Sequence, residues 1–199
     1  MVGLVASLVA LSLIGSAFAP VLLLESPLLL VALAPDARHL ALAVGSVAPG
    51  LLISVAVARR VLFSAGSFGL GAVYGDSAVT WVEGRSVHLG KVFRFLERLF
   101  SRFGAVILVL WPYGSTCILA GAARTRFATF LVAVSLGHTL WVASIYAIGE
   151  LIAAFTARVL AFLAAHVVES TLVCVAVVVL QQIFSRRRAA RRRRADLEA

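Results

Sequence analysis

Charge is what this chain has least of. Only 14% of its 199 residues are Asp, Glu, Lys or Arg, and nine of these are acidic. A soluble domain carries about a quarter charged residues. With 62% apolar residues and a mean hydropathy of +1.04, too little polar surface exists to cover the core of a soluble fold. Lysine is nearly absent: Lys91 stands against seventeen arginines, a bias that points to a GC-rich bacterial genome. The two cysteines, Cys117 and Cys174, lie inside apolar runs without metal-ligand spacing or a pairing pattern, and read as buried bystanders. No lysine or arginine precedes the first apolar run, so a cleaved signal peptide is not expected, although Ser16–Ala19 is rich in small residues. There is no G-x-S-x-G, no H-E-x-x-H, no phosphate loop with a lysine and no carboxylate cluster with metal spacing. An enzyme is therefore not expected, nor any cofactor or metal. The arginines flank apolar runs and do not alternate with aromatics, which excludes nucleic acid as a partner.

The chain does hold a dense basic block. Seven arginines fall between Ser185 and Arg194, directly after the apolar run Val159–Phe184. Such a block is hard to translocate, which places the C-terminus in the cytoplasm. It also favours anionic lipid head groups.

Crossing about 30 Å of hydrocarbon takes about 20 apolar helical residues. Met1–Leu24, Leu40–Ala58, Phe127–Gly149 and Val159–Phe184 are long enough. Three other apolar pieces do not fit simple spans. Ser26–Pro35 is bracketed by Pro27 and Pro35, Val61–Gly75 carries four glycines, and Phe103–Ala123 is interrupted by Trp111-Pro112-Tyr113-Gly114. Broken segments of this kind suit re-entrant hairpins. The expectation is an all-α polytopic membrane protein with about four transmembrane helices and re-entrant or broken helical hairpins.

Basic residues choose between topologies. With Val61–Gly75 and Phe103–Ala123 both re-entrant, Arg59, Arg60, Arg85, Lys91, Arg94, Arg98, Arg102, Arg124, Arg126 and the tail arginines lie inside, sixteen against Arg38 and Arg158 outside. With both segments spanning fully, the division is eleven against seven. The positive-inside rule favours the first arrangement, with both termini cytoplasmic. Residues 1–184 then form one membrane domain. Within it, 76–102 reads as a cytoplasmic amphipathic helix, either at the lipid interface or packed on the protein, and 185–199 is a basic tail.

Leu99–Gly149 carries an F-x-x-x-G pair (Phe100, Gly104), an apolar run with Pro112, a small pair (Ala120-Gly121), Arg124 and Arg126 before Phe127, and then Gly137 and Trp141. Upstream stand the glycine-rich Leu70–Asp76 and the proline-containing loop Glu25–Pro35. In order and spacing this resembles the DedA family, also described by its SNARE-associated or VTT domain, over about Glu25 to Gly149. The resemblance implies a polytopic inner-membrane protein with paired re-entrant hairpins. It further implies transport of phospholipids or polyprenyl phosphate carriers across the bilayer, proton-coupled in some members. The chain departs from the family where arginines usually flank the hairpin proline, with Val109 and Ser115 in those places, and in the glycine-rich segment, with Ser64 and Ala72. Those departures remove the cations that would hold a phosphate from the hairpins.

Ionisable groups at membrane depth are costly and so become candidates. Glu25 reads as a proton or cation site at a hairpin mouth, or as an interfacial carboxylate ending a helix. Pro112, Tyr113, Gly114 and Ser115 would form a hairpin tip, where broken helices bind substrate; Ser115 and Thr116 would alternatively satisfy freed backbone groups. Arg124 and Arg126 read as topology anchors or lipid-phosphate contacts. His138 reads as a proton site or as a neutral histidine bonded to a neighbouring helix. His166 and Glu169 share one helix face. They form a relay if the last span starts at Val159, and sit near the surface if it starts at Val167.

The expected function is movement of a lipid or lipid-linked carrier, centred on Glu25 and the Pro112 hairpin. The rival is a non-transporting scaffold or envelope-integrity protein, which the missing hairpin arginines favour. Expected partners are membrane lipids, with a homo-oligomer left open.

Overall fold

The computed structural model describes residues 2–83, 100 and 103–198, with side chains for 2–75, 100 and 103–184. The described residues are all-helical apart from turns and an isolated bridge between Val44 and Val47. In chain order they form α1 (Val2–Ala17), α2 (Ala19–Glu25), α3 (Pro27–Leu33), α4 (Ala37–Ala43) and α5 (Pro49–Glu83). Then come α6 (103–110), α7 (Gly114–Ala122), α8 (Phe127–Leu151), α9 (Ala153–Ala165) and α10 (Val167–Glu198). Of the segment 76–102, expected as a cytoplasmic amphipathic helix, residues 76–83 continue α5, and all of the rest except Phe100 lies outside the described residues.

Proline sets most of the breaks, because it lacks an amide donor and its ring clashes with the preceding turn. Pro20 opens α2 after an 80° bend at the end of α1. Pro27 opens α3 and Pro49 opens α5, at the first-turn position that tolerates proline. Pro35 ends α3 by forcing Ala34 out of the helical region (φ −135°, ψ 81°). Gly45, at φ +85°, turns the chain between α4 and α5 in a conformation that other residues resist.

Three stretches are long and apolar enough to cross a membrane: Pro49–Gly75 of α5, Phe127–Leu151 of α8 and Val167–Phe184 of α10. The bent pair α1–α2 makes a fourth if it counts as one span. This is the framework of a multi-pass membrane protein.

The boundaries differ from expectation in four places. Met1–Leu24 is not one straight span: it bends by 80° between Ala17 and Ala19, where Pro20 opens a new helix. Leu40–Ala58 is not one span: it breaks between Ala43 and Pro49, where Gly45 and Pro49 both interrupt a helix. Val61–Gly75 is not re-entrant. It continues α5 without a break, since its glycines lower helix propensity without removing any hydrogen bond. Val159–Phe184 is cut at His166, which takes φ −130° and ψ 42°. The last span therefore begins at Val167.

Two apolar clusters hold the helices together. One joins Leu30 and Val31 of α3, Leu40 of α4, Leu52 and Ala56 of α5, and Val142 of α8. The other joins Phe68 of α5, Phe100, Leu108 of α6, Cys117 and Ala120 of α7, and Phe130 and Val134 of α8. Inside a bilayer such contacts gain close packing rather than exclusion of water, so small residues at the crossing matter most. At the α5–α7 crossing a Cβ on Gly71 would overlap the carbonyl of Ile118, and one on Gly121 would overlap that of Phe68. The two clusters take Leu52–Ala56 and Phe68 from α5, and Val142 and Phe130–Val134 from α8. Between them on these helices stand the polar residues Arg59, Arg60 and Ser64 of α5 and His138 of α8.

Candidate functional site: a cavity with two arginines

A cavity of about 650 Å³ opens between the clusters. Its walls come from α1 (Ser12, Ser16), the α3–α4 turn (Pro35, Asp36), α5 (Arg59, Arg60, Ser64), the α6–α7 tip (Pro112, Tyr113, Gly114), α8 (His138) and α10 (Cys174, Gln181). Arg59 lies ten residues into α5, about 15 Å from Pro49 at 1.5 Å per residue, which is half the hydrocarbon depth.

Both guanidiniums are anchored by neutral groups. Arg60 Nη1 donates to the Pro35 carbonyl at 2.7 Å, and its guanidinium stacks 3.7 Å from the centre of the Trp141 ring. Its Nε reaches His138 Nδ1 at 3.4 Å, a long contact. A guanidinium can only donate, so Nδ1 accepts and the ring proton sits on Nε2, which donates to Ser64 Oγ at 2.9 Å. Arg59 Nη2 donates to the Leu8 carbonyl at 2.7 Å and reaches Ser12 Oγ at 3.2 Å and the Leu33 carbonyl at 3.4 Å. The Leu33 carbonyl is one that the end of α3 leaves without a helical partner. The buried Nε of Arg59 has no partner.

Among the described residues neither arginine is ion-paired. Asp36 pairs with Arg38 at 3.7 Å and approaches His39 at 3.9 Å, with its own side chain exposed. A cation at the centre of a membrane helix costs about 2.5–3.5 kcal/mol on insertion scales, and two adjacent cations facing a single lining carboxylate, Asp36, that is already paired with Arg38, raise the demand for an anion. The cavity can offer one: Pro112–Gly114 and Ser12–Ser16 leave room beside the guanidiniums.

Four of the residues singled out in the sequence meet here: Pro112, Tyr113, Gly114 and His138. His138 is buried and bonded across to α5. Ser115 is exposed and outside the cavity, while Thr116 Oγ1 lies 2.7 Å from both the Trp111 and Tyr113 carbonyls, the freed backbone groups. Glu25 is exposed at the end of α2 and does not line the cavity. Arg124 and Arg126 flank the α7–α8 turn, and His166 and Glu169 lie exposed around the α9–α10 break, near the start of the last span. No three His, Cys, Asp or Glu side chains among the described residues gather as for a metal ion.

Arg59 and Arg60 were missed as site residues. They read as cytoplasmic flanks because Leu40–Ala58 is long enough to be a span by itself. The available signal was Pro49, a helix opener that makes Pro49–Gly75 the better 27-residue span with both arginines inside.

Comparison with family models, curated proteins and solved structures finds no match to this chain.

Proposed function

We propose that this chain is a multi-pass protein of the bacterial inner membrane, of the DedA type, that moves a lipid or lipid-linked carrier between leaflets. The observation that carries the reading is a pair of arginines near the middle of an apolar, membrane-length helix, held in a cavity by neutral groups, where the one lining carboxylate, Asp36, makes its ion pair with Arg38 and not with them. Their positive charge suits the phosphate of a lipid head group, which guanidiniums bind with paired donors. The cavity volume of about 650 Å³ falls within the range of small-molecule sites and takes a head group, leaving the hydrocarbon tails in the bilayer. Arg59 and Arg60 supply cations that the hairpins lack, which favours this reading over a non-transporting scaffold.

The break at Pro112 adds support. Phe100 and Leu108 before it share one apolar cluster with Cys117 and Ala120 after it, as expected of a chain that turns back there. The tip then brings unwound backbone to the cavity, the arrangement broken-helix transporters use at the midplane. The tail arginines favour a cytoplasmic C-terminus, and this reading makes membrane lipids the partners.

Purified protein in liposomes should accelerate the movement of a fluorescent phospholipid between leaflets, read by quenching of the outer-leaflet dye. A rate equal to that of empty vesicles for both phospholipid and lipid-monophosphate probes would remove the transport reading.

A further inference from the structure

We propose that α10 is the moving wall of the cavity, hinged at His166 and tilted by attraction of its arginine tail to an anionic membrane surface. This rests on the cavity described above and adds its regulation.

Continuity of the helix is the first support. The backbone from Val167 to Glu198 is one helix of 32 residues. Its membrane stretch presents Val173, Cys174, Val177, Val178 and Gln181 to the cavity, a spacing that defines one helical face. The same rod carries the seven arginines between Ser185 and Arg194. Any tilt at the tail is therefore a displacement of the cavity wall.

Seating of the helix is the second. None of the membrane window Val167–Phe184 is buried, whereas about a third of the corresponding windows of α5 and α8 is (33% and 28%). The packing of α10 falls on α1 and α2, with α9 at its start, and not on α5, α7 or α8 to any comparable degree. The cavity itself separates α10 from α5 and the α6–α7 tip. At His166 the helical path stops: its amide reaches back to Phe162 at 3.1 Å, and its own φ and ψ leave the helical region. An isolated rod with one hinge and one-sided support is free to tilt without breaking a packed core.

The force comes from the tail. Ser185–Arg194 extends about 15 Å beyond Phe184 at 1.5 Å per residue. Upright, the outermost arginines stand beyond the ~8 Å Debye length of physiological salt. Tilting lowers them towards the head groups, where anionic lipid attracts each of them. From the average membrane tilt of about 20°, a further tilt of about 10° lowers Arg194, about 42 Å along the helix from His166, by about 3 Å, and moves Leu180, about 21 Å along it, by about 4 Å. That displacement widens the cavity between α10 and the α6–α7 tip.

The test reads position rather than transport, so its failure is distinct from failure of the transport reading. Nitroxide labels go on Leu180→Cys and Val132→Cys, both exposed positions, in full-length protein carrying Cys174→Ala, with the buried Cys117 left in place. Electron–electron distances are measured in nanodiscs of phosphatidylcholine and in nanodiscs with added phosphatidylglycerol. The expected result is a shift of about 4 Å on adding the anionic lipid. That shift is lost at about 1 M salt, where the Debye length is about 3 Å, and lost when the seven tail arginines are changed to Gln. Identical distributions in the two lipids overturn the proposal. So does a shift that survives salt or survives removal of the arginines.

Discussion

Arg60→Gln separates the fold of the cavity from its use. In the native chain Arg60 gives one short bond to Pro35, a charge-assisted contact of about 1.5–3 kcal/mol. Its stacking on Trp141 adds about 2 kcal/mol when shielded from water. Holding the cation at membrane depth costs about 2.5–3.5 kcal/mol. These terms largely offset, so the variant should lose about 1 kcal/mol and at most about 2.5, a shift of a few degrees in a detergent melt. Lipid movement should respond differently. Losing one guanidinium–phosphate contact of about 1.5–3 kcal/mol slows it by about one to two orders of magnitude. Arg60→Lys should fall between, because it keeps the charge and loses the planar fork and the stacking. The assay is the liposome dye-quenching rate, with the melt measured on the same preparation. A variant that is stable and moves lipid at the native rate refutes the assignment of the cavity as head-group site.

Gly71→Ala should destabilise the fold by at least the 1–3 kcal/mol of an overpacked core, seen as a lower melting midpoint, because its Cβ meets the rigid Ile118 carbonyl; an unchanged midpoint would mean that α5 and α7 do not approach so closely. Arg124 sits at φ 53° just past α7, where its amide bonds to Gly121 and that of Thr125 to Ala120, a helix end that usually takes glycine. Both Arg124→Gly and Arg124→Ala remove the side chain, but only glycine relieves the backbone, so the glycine variant should melt as the more stable by about 1 kcal/mol. Glu25→Gln should leave the rate of lipid movement unchanged, since Glu25 stands outside the cavity; abolished movement would restore it as a proton site.

Helix existence and breaks were largely legible. Pro20, Pro27, Pro35, Pro49 and Pro112 act through covalent geometry that needs no tertiary context, and each sits at a break or a helix start in the fold. Pro20 and Pro49 nevertheless lie inside stretches that length and composition alone read as single spans, and glycines mislead in the opposite direction. Gly66, Gly69, Gly71 and Gly75 read as helix breakers, but two of them at least serve close approach: a Cβ on Gly71 would meet α7, and one on Gly75 would meet Ala122. Propensity alone cannot tell a glycine that bends a helix from one that lets another helix in. The site was half legible for a related reason. Pro112, Tyr113, Gly114 and His138 stand out within apolar runs, whereas Arg59 and Arg60 follow an apolar run and look like its flank. Only the side chains of α1, the α3–α4 turn and α8, distant in sequence, show that the two arginines are enclosed.

Moving Arg59 and Arg60 into a span sharpens the topology. With α5 as one crossing and the chain turning back at Pro112, one side holds Arg85, Lys91, Arg94, Arg98, Arg102, Arg124, Arg126 and the seven tail arginines. The other holds Arg38 and Arg158, fourteen against two. If 103–122 crossed instead, Arg38, Arg124, Arg126 and the tail would face Arg85, Lys91, Arg94, Arg98, Arg102 and Arg158, ten against six. The positive-inside bias is stronger for the returning chain, although two arginines no longer count. Lengths agree: 103–110 and Gly114–Ala122 span about 12 and 13 Å, and neither reaches across 30 Å. Cysteines at Ser101 and Thr125, labelled one at a time in intact cells with a membrane-impermeant maleimide, should both stay unlabelled until the membrane is permeabilised. Labelling of one and not the other would place Pro112 in the middle of a crossing, and would take the hairpin tip away from the lipid-binding role proposed for the cavity.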